Sequence, residues 1–88
     1  MAKKKLQKIH SYFAVFDPAT EGGFNVSFPD FPGCFTFGNT FEEAKEMAAE
    51  ALELWIEELN HQQQHIPKRK LRPIIDEITV KVPASWNR

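Results

Sequence analysis

Cysteine is nearly absent from this chain. Cys34 is the only one in 88 residues, so no internal disulfide is possible and no cysteine cluster can hold a metal. Long apolar runs are missing too. The longest, Tyr12–Phe16, is far short of the ~20 residues a membrane span needs. The lysines of MAKKKLQKIH have no apolar stretch behind them, so no secretory signal is read there. These absences fit a reducing cytoplasm. Only four glycines are present, and none forms a phosphate-cradling loop. Cations are scarce in the centre, where ten acids stand against Lys45 alone between Asp17 and Glu58. Such a body repels nucleic acid and suits a positively charged protein partner; the plainer reading of the charge alone is a solvated helix face and a solubilising tail.

The basic residues lie at the flanks. Lys3, Lys4, Lys5 and Lys8 form an N-terminal arm over residues 1–8, expected to be disordered, and KRKLR (68–72) forms a second run. That run has no interleaved aromatics, so base stacking is not indicated. No groove-reading motif is visible.

Between the flanks, the pattern predicts one domain over residues 9–83, followed by a tail, 84–88. Ile9–Phe16 is rich in β-branched and aromatic residues and reads as a first strand. DPATEGG then reads as a hairpin connection. Phe24–Phe28 alternates apolar and polar, as a half-buried strand does. Pro32-Gly33 suits the central positions of a type II turn, and Cys34–Phe37 alternates again. Thr40 and Glu43 have the spacing of a helix capping box. Behind them Phe41, Ala44, Ala48, Ala51, Leu52, Trp55, Ile56 and Leu59 recur at three- and four-residue steps, with glutamates opposite. This predicts an amphipathic helix of about five turns that fades by His65, ahead of Pro67. Ile78–Val82 reads as a last strand, laid parallel to the first by a right-handed crossover.

The expected class is therefore α+β, with order βββαβ and one long helix on one face of the sheet. The first strand is apolar on both sides, and one helix covers only one of them. Phe13 and Val15 are thus expected to meet a second copy of the chain, with Trp86 as a further oligomer contact.

Candidates for chemistry are weak. His61 and His65 stand four apart, but a third ligand and the glutamate base of a metallopeptidase helix are missing. Asp17, Asp30 and Asp76 near strand ends are the carboxylates a minimal metal-dependent nuclease or nucleotide-binding module would need; the simpler reading is that they cap turns. Cys34, with His10 and His65 as conceivable bases, reads as a buried strand residue. No catalytic residue, metal or cofactor is expected.

The segment Tyr12–Leu59 resembles the HicB antitoxin family. The likeness rests on the opening aromatic-aliphatic strand, on Phe28-Pro29-Asp30-Phe31-Pro32-Gly33-Cys34, on the Thr36–Thr40 turn, on Glu43-Ala44 opening a helix with Ala48 and Ala51, and on Ile66-Pro67. The resemblance implies a truncated ribonuclease-H-like fold without working catalytic acids. It implies a partner, a small basic HicA-like mRNA-cleaving toxin, and a homodimer or homotetramer. The acidic face Glu42, Glu46, Glu50 and Glu53 is the expected contact with that toxin, and an exposed edge strand competes with it. Many relatives carry a C-terminal DNA-binding domain; none is read in this sequence, so direct DNA binding is not expected. An orphan scaffold without a toxin is the remaining alternative.

Overall fold

A computed structural model describes residues 9–68 and 71–86, and the side chain of Trp86 is not among the described parts. The N-terminal lysine arm lies outside them, as do Arg69 and Lys70 of the second basic run. Three strands, β1 (Val15–Pro18), β2 (Phe24–Ser27) and β3 (Phe35–Gly38), precede one helix, α1 (Phe41–His61). The sheet is antiparallel in the order β1-β2-β3, so β1 and β3 are both edges.

Register sorts the side chains onto two faces. Phe16 opposes Val26, which opposes Thr36, and this row faces α1 together with Phe24 and Gly38. Val15, Ser27 and Phe35 form the next row, on the open face, with Asp17, Asn25 and Phe37 after it. The core lies between helix and sheet, where Val26, Phe28, Phe31, Cys34, Ala44 and Ala48 are buried. Helix α1 packs chiefly across β3 and less on β2. Small residues permit this closeness. A Cβ added to Gly38 would collide with the backbone of Ala44.

The stretch between β2 and β3 is two consecutive turns. Phe31 N–H donates to the Phe28 carbonyl at 3.0 Å, and Cys34 N–H to the Phe31 carbonyl at 3.1 Å. Gly33 takes the positive φ of 97° that a type II turn demands at its third position. Asp30 and Phe31 do structural work here. Phe31 is buried, edge-on to Tyr12 at 4.9 Å, and the Asp30 carboxylate accepts the Leu71 N–H.

Both ends of α1 are capped. Thr40 Oγ1 accepts from Glu43 N–H at 3.0 Å, while Glu43 Oε1 reaches past the cap residue to accept from Asn39 N–H at 2.8 Å. At the other end Gln64 N–H donates to the Leu59 carbonyl and Gln63 N–H to that of Asn60, with Gln63 at φ 59°. This is a Schellman ending with glutamine where glycine is usual. The helix therefore stops at His61 through its own C-terminal geometry, not through Pro67 five residues beyond the cap.

Two expectations about strands are corrected. The first ladder begins at Val15 rather than Ile9, because β2 ends at Ser27 and the double turn veers away, leaving residues 9–14 without a strand partner among the described residues. The segment Ile78–Val82 joins no ladder among the described residues. Past Pro73 the chain leaves the domain instead of crossing back over the sheet, and a single turn of 3-10 helix closes it at Ala84–Trp86.

Candidate partner-binding surface

The exposed side of α1 is acidic along its whole length. Glu42, Glu46, Glu50, Glu53 and Glu57 follow one another at steps of four, four, three and four, which align them as a stripe, and all are exposed. Glu42 lies in the first turn, where the helix dipole favours a carboxylate. Two neighbours are committed locally, Glu43 to the N-cap and Glu58 to the amide of Gln62. The stripe is left to face solvent.

One apolar residue stands inside it. Leu54 is 65% exposed and lines a shallow depression with Glu57, Glu58 and His61. The helical periodicity singled out Leu52 and Trp55 on the core side and passed over Leu54. Its i+4 and i−4 glutamates, Glu58 and Glu50, were the signal available in the sequence.

The opposite side of the molecule is apolar. Phe13 and Val15 are half-buried, and β3 adds Phe35, 70% exposed, and Phe37 to the same open face. Sequence reading placed CFTF on a strand without asking which of its residues face away from the helix. Register answers that, because Phe35 opposes Ser27 and Phe37 opposes Asn25.

The candidates for chemistry do not converge. Among the described residues, no three of His, Cys, Asp and Glu lie close enough to share a cation. Asp30 binds the Leu71 N–H and Asp76 bonds the adjacent Glu77 N–H, so each has a local structural use. Because α1 ends at His61 and Gln63 turns left-handed, His61 and His65 share no helical face. Cys34 is buried with its Sγ toward the Ala51 carbonyl, and burial raises its pKa, which disfavours the reactive thiolate. No helix among the described residues is long and apolar enough to cross a membrane.

The described residues form a small α+β domain with an acidic helix side and a sheet face that exposes Phe35 and Phe37. The HicB-like antitoxin family of bacterial toxin–antitoxin systems matches residues 12–81, and the chain belongs to that family. It is 37% identical over 65 residues to UPF0150 protein ssr1765 of Synechocystis sp., a match covering 74% of this chain and 82% of that protein. It is 54% identical over 41 residues to Antitoxin HicB 1 of Photorhabdus laumondii, across 47% of this chain but only 26% of that longer protein. Among solved structures it is similar to a chain of a HicA3 and HicB3 toxin–antitoxin complex. That likeness has a TM-score of 0.59 and 36% identity, covering 69% of this chain and 71% of that one.

Proposed function

We propose that this chain is a non-catalytic antitoxin that binds a small basic HicA-like ribonuclease and masks its RNA-binding surface. The observation that carries the reading is the exposed glutamate stripe on α1, with Leu54 set among its acids. A ribonuclease must present positive potential to hold RNA, and a row of carboxylates on a rigid helix presents its complement. Leu54 supplies an apolar anchor of the kind that concentrates binding energy at an otherwise charged interface. Glu46, Glu50 and Glu53 are assigned as the central contacts, with Glu42 and Glu57 at the ends. The likeness to a chain from a HicA–HicB complex supports the class of partner.

The working unit is a cytoplasmic homo-oligomer. Phe13, Val15, Phe35 and Phe37 form its apolar contact, since a sheet face bearing two exposed phenylalanines is covered at less cost by another copy than by water.

The test is co-expression with the neighbouring basic reading frame, followed by affinity measurement and an RNA-cleavage assay. The triple variant Glu46→Lys/Glu50→Lys/Glu53→Lys is expected to weaken toxin binding by at least ~100-fold, with helix content unchanged. A triple variant that still binds and silences the ribonuclease as the native chain does would remove the helix from the interface. It would point to an edge strand in its place.

A further inference from the structure

The chain past Arg72 reaches away from the domain that anchors it. The base of this arm is tied down in three places. Tyr12 Oη donates to the Pro67 carbonyl at 2.8 Å, Leu71 N–H donates to the Asp30 carboxylate at 3.1 Å, and the Arg72 guanidinium lies 5.1 Å from the centre of the Phe13 ring. Beyond Pro73 no such tie is found among the described residues. Ile74, Ile75, Ile78, Val80 and Val82 stand 50–89% exposed. The radius of gyration is 18.1 Å, against ~12 Å expected for a compact chain of this length. The longest extent is 73 Å against 27 and 20 Å across.

Five exposed aliphatics on an unpaired segment with a strand's alternation are not a stable end state in water. The match to the family runs to residue 81, so most of the arm lies within the matched region. The domain also holds an unfilled receptor for a strand. Residues 9–14 make no backbone hydrogen bond outside the β1 ladder among the described residues, which leaves an edge with free donors and acceptors. Beside that edge runs an open groove between Ile9–Tyr12 and the flank of α1, lined by Leu52 and Ile56 and also by Glu50, Glu53, Leu54 and Glu57 of the acidic side. An apolar strand without an edge and an edge without a strand occur in one chain.

Closing the arm onto its own edge is hindered at the hinge. The base already crosses Tyr12 and Phe13, so the chain would have to reverse between Arg72 and Ile78 to run back beside them. Pro73 holds Arg72 out of the helical region, so the chain leaves the base extended. A hinge held extended favours exchange of the same element between copies.

We propose that two copies of this chain exchange arms. Ile78–Val82 of each pairs with the 10–14 edge of the other, and Ile78, Val80 and Val82 seal the groove over Leu52 and Ile56. This adds to the homo-oligomeric reading above a second contact, distinct from the sheet face of Phe35 and Phe37, and its formation does not require the toxin.

Solution mass and hydrogen exchange on the full chain test it. The native chain is expected to have a mass of two protomers or a multiple of two. Slow exchange is expected at both 10–14 and 78–82, fading together on dilution. Val80→Asp should halve the mass, raise the dissociation constant at least ~tenfold and free both segments, while Val80→Thr, which keeps β-branching, should retain the native mass. Residue 80 is exposed in the single chain, so far-UV circular dichroism of the aspartate variant should remain native for the helix. An undiminished oligomer in Val80→Asp would overturn arm exchange and leave the oligomer to the open sheet face. A native chain that stays monomeric up to roughly 100 μM would overturn both, and so would protection of 78–82 within a monomer.

Discussion

Gly38 carries the sharpest steric demand in the molecule. It ends β3 where α1 begins, buried under Ala44, and its φ is not positive, so its role is close approach and not backbone freedom. A methyl group there meets backbone that cannot yield without lifting the helix from β3. Gly38→Ala is expected to destabilise the fold by about 3 kcal/mol, measured as the shift of a urea unfolding midpoint at constant slope. Gln63 shows the reverse case. It holds φ 59° at the helix end, where a side chain costs roughly 1 kcal/mol relative to glycine. Gln63→Gly should therefore stabilise the chain by about 0.5–1 kcal/mol, less any loss from a more flexible unfolded state. A midpoint lowered by about 1 kcal/mol, as for glycine at an ordinary helical position, would mean that the left-handed turn is not kept in solution. Neither demand was readable beforehand. Glycine at 38 looked like the start of a turn, and HQQQH drew attention to its histidines when the residue under strain is the glutamine between them.

At the scale of elements, the helix was the most legible part. Its capping box, apolar stripe and glutamate stripe all come from spacing within one segment, and the structure keeps each of them. The double turn was half legible: Pro32-Gly33 announced one hydrogen-bonded turn, while the Phe28–Phe31 turn before it had to be seen. The edge strands were misread because a strand is a property of two segments. Ile9–Ala14 and Ile78–Val82 both have the composition of strands, yet pairing requires a neighbour, and within one chain neither has one. The acidic stripe carries its own consequence at this scale. Because its charges are exposed, binding of a basic partner to α1 should weaken steeply with salt. Raising sodium chloride from ~50 to ~500 mM is expected to slow association far more than it speeds dissociation, as stopped-flow mixing with the toxin can show.

For the whole molecule, the charge and the apolar surfaces are segregated. The helix gives one acidic side, the sheet gives a second side bearing Phe35 and Phe37, and the arm gives a third surface of isoleucine and valine. A domain of this size buries too little to leave so much apolar area in water. Self-association covers the sheet and the arm and leaves Glu42 and Glu46 clear, while Glu50, Glu53, Leu54 and Glu57 line the groove that the arm enters. On this arrangement, changing the arm should alter solution mass, and changing Glu42 and Glu46 should lower toxin affinity without altering mass. A double set of variants, Val80→Asp and Glu42→Lys/Glu46→Lys, measured by both mass and binding, separates the two surfaces.

The sequence by itself determined what is local: the helix and its N-cap, the β2–β3 turn, the acidic stripe, and the family to which the Phe28–Cys34 motif belongs. These rest on contacts between residues a few positions apart, where spacing alone decides which side chains meet. Only the tertiary structure decided that Phe35 and Phe37 face away from the helix, that Gly38 must lack a side chain, and that the last apolar segment leaves its own sheet. Those follow from register, from the distance between helix and strand, and from where the chain is steered at Asp30, Tyr12 and Pro73. Each depends on segments far apart in sequence, and no periodicity within either segment records it.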